Sequence, residues 1–134
     1  MNALKTVTLA TFAAITLFAT ANSASAAISG LYYDHTGRSA IQVNRCGSGL
    51  CGRIVWLKNK AHEKVCGTAI IGGGKKVGNS YDTGWIYSPE RGRRYNVEIT
   101  PMGSSLKVMG YAGSKMLSKT MIWHRAPSNL KRCG

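Results

Sequence analysis

The sequence predicts an all-β domain: seven or eight short antiparallel strands, folded as a small barrel or a sandwich. Three observations lead there. Apolar and polar residues alternate at strand period, as where Tyr95, Val97 and Ile99 interleave with Asn96, Glu98 and Thr100. Turn signals recur at a spacing of about 8–12 residues, which suits many short strands: Thr36-Gly37, Gly47-Ser48-Gly49, Gly72-Gly73-Gly74, Ser88 to Gly92 and Pro101-Met102-Gly103. Beyond Ala26, apolar residues at helical spacing are hard to find. A closed barrel removes the unpaired edges that so many short strands would expose.

The elements follow in order. Met1 to Ala26 has the layout of a cleaved secretory signal: Lys5, an apolar stretch from Val7 to Ala19, and an exit at Ala24-Ser25-Ala26. The apolar stretch is too short for a permanent membrane helix, so after cleavage the chain is expected to carry no transmembrane segment. Residues 27–134 are then one β-barrel domain, periplasmic or secreted. Strands are predicted over residues 28–34, 38–45, 51–58, 67–72, 84–88, 93–100, 105–112 and 119–125. They are rich in β-branched and aromatic residues. Leu106 and Val108 fall on one face, Lys107, Met109 and Tyr111 on the other. The stretch from Asn59 to Asn79 is polar and glycine-rich, and Ile71 to Lys76 reads as a flexible turn.

Cys46, Cys51, Cys66 and Cys133 all lie in the mature part, and an even count in a small exported chain reads as disulfides. Of the three pairings, Cys46–Cys51 and Cys66–Cys133 are expected: the first clamps a glycine-rich hairpin, the second ties down the C-terminus. In the chain-entropy model they are worth roughly 2 and roughly 4 kcal/mol. The clamped hairpin would feed Trp56 into the barrel wall. His62 and Cys66 lack the second ligand pair of a zinc site, so no metal is expected.

The whole chain carries a net charge of +13, of which Lys5 leaves with the signal. The basic residues fall in turns and termini, and such a field attracts anionic surfaces and ligands. Nucleic acid is not an expected partner of an exported chain. The five acids, Asp34, Glu63, Asp82, Glu90 and Glu98, show no catalytic spacing with one another. Asp34 and His35 would point to opposite faces of a strand. Ser48 lacks the strand–turn–helix setting of an exposed nucleophile. The sequence therefore predicts a binding protein, with no catalytic residues and no cofactor.

The runs "GLYYDHTGRSAIQVNRCGSGLCGRIVWLK", "VCGTAI", "GWIYSPERGRRYNVEI", "LKVMGYAG" and "KTMIWHR" resemble the domain-of-unknown-function 2147 family of small exported bacterial proteins, over Ile28 to Arg125. The resemblance implies an antiparallel up-and-down barrel of lipocalin-like (calycin-like) type, without an established catalytic activity. Between Trp56 and Cys66 the family often has an acidic, asparagine-rich loop; here it reads "LKNKAHEKVCG" and is basic.

Two functions are open. One is a barrel holding a small apolar or anionic ligand. Trp85, Tyr87 and Tyr81 would then touch it, and an inward Arg53 or Arg125 would hold a carboxylate or phosphate head by a forked hydrogen-bond pair. Eight short strands leave room for side chains or one small ligand, so a shallow cavity is expected. The other is a cationic module that binds an anionic envelope component, polymer or partner protein without a cavity.

Overall fold

The computed structural model describes residues 28–134; the signal sequence read over Met1 to Ala26 lies outside the described residues. Eight strands follow one another: β1 Gly30–Tyr33, β2 Ser39–Cys46, β3 Gly49–Leu57, β4 Ala69–Val77, β5 Ser80–Ser88, β6 Arg93–Met102, β7 Ser105–Ala112 and β8 Ser114–His124, with a short 3-10 helix, Lys60–Val65, before β4. Each strand pairs antiparallel with the next in a single sheet of order β1 to β8. The sheet curls into a nearly closed barrel. Its seam is one bridge between Tyr32 and Arg125 and a hydrogen bond from the Ala126 N–H to the Leu31 carbonyl, 2.8 Å.

The two ends differ. At one end β2–β3, β4–β5 and β6–β7 are joined by two residues each, and each pair begins with a glycine at positive φ: Gly47 at 61°, Gly78 at 62° and Gly103 at 65°. Such turns match the twist of paired strands and close hairpins tightly. At the other end the connections 34–38, 58–68 and 89–92 are longer, whereas Gly113 alone joins β7 to β8.

Strand alternation fills the barrel. Val97 and Ile99 are buried in the core, as are Leu106 and Val108. With Ile28, Tyr32, Val43, Leu50 and Tyr81 they pack the closed half solid. Each such aliphatic side chain contributes about 1.5–3 kcal/mol by burial.

A second, smaller cluster lies outside the wall. Leu31, Ala40 and Ala126 are buried there, with Tyr33, Val55, Trp56 and Leu130 packed against them. The tail after β8 holds this cluster down: the Cys133 N–H donates to the Val55 carbonyl at 2.8 Å, and Arg132 donates to Gln42 at 2.9 Å. Both expected disulfides are present, with Cα–Cα distances of 5.8 Å for Cys46–Cys51 and 6.1 Å for Cys66–Cys133.

Two expectations are corrected. Trp56, expected as a core or barrel-closing residue in the wall, lies in β3 but packs on its outer side. The register shifts between Ala40 and Ile41, where Ala40 faces Trp56 but Ile41 faces Ile54. The extra residue is Val55, and this bulge places Trp56 outside, edge-on to Tyr33 with centroids 5.6 Å apart. Gly72 to Gly74 do not form a turn but the middle of β4. Here glycine serves close approach. A Cβ on Gly72 would overlap the Trp85 ring, and one on Gly49 would overlap the Gly73 carbonyl.

Candidate functional site

The open end holds a cavity of about 1060 Å³. The connections there, residues 34–38, 58–68 and 89–92, and the start of β8 supply residues to its rim. Buried Ile41, Ile54, Ile70, Ile86 and Trp123 line its inner wall. Gly110 leaves space where another residue would project: a Cβ there would meet only Ile86, at 3.7 Å, among side chains. Tyr87, Tyr95 and Met121 are half-buried, pack on the core and also line the cavity. Trp123 is 2% exposed, and its indole N–H is the one buried side-chain donor or acceptor among the described residues that has no partner.

The mouth is polar and mixed in charge. His35, Arg38, His62, Glu90, Arg91 and Lys119 line it. Two of its acids are already engaged. Asp34 accepts from the Thr36 and Arg38 N–H groups and from the Thr36 hydroxyl, so it organises the β1–β2 turn. Glu90 lies 3.7 Å from Arg38, an ion pair open to solvent. Asn59 caps the 3-10 helix by accepting from the Ala61 N–H at 2.9 Å, which sets His62 at the rim.

Of the residues expected to touch a ligand, Tyr87 lies in the cavity wall. Tyr81 is buried in the closed half of the core and does not line the cavity. Trp85 neighbours inward Ile86 in β5 and so faces outward, where the Arg94 guanidinium lies 3.8 Å from its ring centroid. It borders a shallow outer groove of about 300 Å³ with Arg93, Asn96 and Tyr111. Arg53 neighbours inward Ile54 and also faces out, donating to the Gly67 carbonyl at 3.1 Å. Arg125 closes the seam: it donates to the Tyr32 hydroxyl at 2.9 Å and to the Ser29 carbonyl at 3.2 Å. Burial raises the Tyr32 hydroxyl above its ordinary pKa, with Arg125 opposing. Arg53 therefore faces away from the interior, whereas Arg125 lies over the ring of core Tyr32, 4.8 Å from its centroid, beside the β6–β7 turn at the closed end and outside the cavity lining.

A cluster on the outer wall holds the start of β8. Lys115 donates to Asp82 and, at 3.3 Å, to Glu98; the Tyr111 hydroxyl donates to Asp82 at 2.9 Å. Burial pushes the Asp82 carboxyl up, but the bonds from Lys115, the Thr83 N–H and Tyr111 outweigh it and hold it below its ordinary value. Thr83 sits at φ 62°, left-handed and costly for a branched residue, at the β5 bulge that turns Asp82 toward Lys115.

No local sequence pattern groups the rim residues as one site. The signal was topological: in an up-and-down barrel the first, third, fifth and seventh connections share one end, which gathers His35, Arg38, His62, Arg91 and Lys119.

The fold is matched by a solved structure of protein HP1028 from Helicobacter pylori, described as belonging to the lipocalin family. The TM-score is 0.59 at 17% identity, over 75% of this chain and 83% of that one. Among curated proteins, none matches this chain in sequence. The model of the family DUF2147, described as an uncharacterized protein conserved in bacteria, matches residues 30–125. That span runs from β1 through the seam arginine, Arg125, so the chain belongs to the DUF2147 family.

Proposed function

We propose that the protein binds one small amphipathic molecule, with an apolar body and an anionic head, in the open end of its barrel. The observation that carries this reading is the cavity itself: an apolar inner wall of Ile41, Ile54, Ile70, Ile86 and Trp123 beneath a rim that bears Arg38, Arg91 and Lys119. Eight-stranded barrels of this type have room for one small ligand. The volume suits it, since small-molecule sites run from about 300 to 1,000 Å³. The rim arginines offer forked donors to a carboxylate or phosphate.

Binding without turnover is the reading favoured by the acids. Asp34 is held by its turn, and Asp82 and Glu98 sit with Lys115 on the outer wall. Export to the periplasm or beyond is supported by the two disulfides, which persist in oxidising compartments. Among the described residues no helix is long and apolar enough to cross a membrane.

A fluorescent fatty acid titrated into the disulfide-bonded protein tests the proposal. Saturable one-to-one binding with negative heat capacity, and quenching of Trp123 emission, is expected. Linear, non-saturating signal for carboxylate and phosphate amphiphiles alike would end it.

A further inference from the structure

Among the described residues four large apolar side chains stand exposed: Val77, Met102, Met116 and Leu117. Val77 and Met102 end strands at the closed end, on separate hairpins. Met116 and Leu117 are adjacent, 92% and 71% exposed, and both border the cavity mouth. The ladder builds this exposure. Tyr111 pairs with Ser118 and Ala112 with Ser114, so Lys115, Met116 and Leu117 are looped out of register. Lys115 turns back to Asp82 and Glu98 on the outer wall. That tether fixes the base of the loop and leaves Met116 and Leu117 as an apolar prong.

The connections framing the same end carry Arg38, Lys58, Lys60, Lys64 and Arg91, and β8 adds Lys119, against Asp34, Glu63 and Glu90. Arg38 and Glu90 pair with each other, which leaves Lys58, Lys60, Lys64, Arg91 and Lys119 against Asp34 and Glu63. An apolar prong is therefore ringed by a surplus of positive charge.

We infer that this end of the barrel docks on an anionic phospholipid leaflet, with Met116 and Leu117 entering the acyl boundary and the surrounding lysines and arginines lying on the head groups. Apolar insertion and attraction of basic side chains act together at such a surface. A second copy of this chain is a poor occupant, because two like-charged rims would face one another. Docking sets the cavity mouth against the acyl chains, so a molecule could pass between leaflet and barrel without crossing water. The inference concerns where the protein sits and does not depend on what the cavity holds.

Flotation of the disulfide-bonded protein with vesicles of phosphatidylglycerol and phosphatidylethanolamine tests it, with phosphatidylcholine vesicles as the neutral comparison. The parent chain should float with the anionic vesicles, less so as salt rises. The double variant Met116→Ser/Leu117→Ser should lose at least tenfold in partitioning while its circular dichroism and melting midpoint stay unchanged. The control Val77→Ser/Met102→Ser, at the far end, should float as the parent does. Equal losses from both double variants, an unaffected Met116→Ser/Leu117→Ser variant, or no flotation of the parent would overturn the inference. So would a concentration-dependent dimer that the prong variant abolishes in the absence of vesicles. The fatty acid titration on the same samples keeps the two proposals apart, since either can fail with the other intact.

Discussion

The Trp85 ring occupies the space in which a side chain on Gly72 would stand. The two residues face each other across β4 and β5, and the Arg94 guanidinium covers the ring at 3.8 Å from its centroid. Gly72 in β4 is thus a bed for an aromatic ring on the outside of the barrel.

Gly72→Ala should therefore cost about 1–3 kcal/mol, the usual range for forcing extra atoms into a packed site. Trp85→Ala in the same chain should recover much of that loss, because the ring it removes is the obstacle. Urea unfolding of the two single variants and the double variant checks this; strictly additive costs would contradict it.

Replacing Cys66 and Cys133 by serine should cost roughly 4 kcal/mol, about twice the effect of the same change at Cys46 and Cys51, if loop entropy dominates. The tail covers the outer cluster that holds Trp56. Its release should also shift tryptophan emission to the red, whereas opening the Cys46–Cys51 hairpin clamp should not.

Tyr32 joins the core to the seam, donating to the Ile28 carbonyl at 3.1 Å and accepting from Arg125 at 2.9 Å. Tyr32→Phe keeps the ring and removes both bonds, so a loss of about 1–3 kcal/mol is expected by thermal or urea unfolding. Hydrogen exchange should rise first at the Ala126 N–H, whose bond to Leu31 closes the same seam. Unchanged exchange there would show that the seam does not rely on the hydroxyl.

The Asp82 carboxyl has a lowered folded-state pKa. Its contribution is therefore present above the ordinary carboxylate value and is lost as pH falls through the lower, folded one. Asp82→Asn should be less stable than the parent near neutrality, and the two melting curves should converge as acid protonates the parent. A gap between them that stays constant with pH would contradict the assignment.

Much of the wall was legible because strand alternation and turn chemistry are local. The alternation of Tyr95, Val97 and Ile99 fixed which face of β6 is inward, and the Gly47 turn fixed the hairpin that Cys46 and Cys51 clamp. What escaped were departures from period two. One inserted residue, Val55, sends Trp56 outward, and the register jump after Tyr111 throws out Met116 and Leu117. Gly72 to Gly74 read as a turn because what they accommodate, Trp85 at Gly72 and the Asp82 to Gly84 backbone at Gly74, lies on another strand. The expected contact residues are divided by the same geometry: Tyr87 lines the cavity and the others do not. Trp85 and Arg53 have the right chemistry for a ligand, but inward Ile86 and Ile54 beside them put both on the outside. The mouth is assembled from three connections and β8, far apart in sequence, and no local pattern joins Arg38 to Lys119.

In the proposed function the open end of the barrel, not its outer face, takes the ligand. Gly110→Leu tests it most directly, because position 110 lines the cavity and has room for a side chain. Calorimetric titration with a fatty acid should show saturable binding to the parent and at least tenfold weaker binding to the plugged variant, with circular dichroism unchanged. Equal affinity in the two proteins would place the bound molecule outside the barrel and contradict the claim.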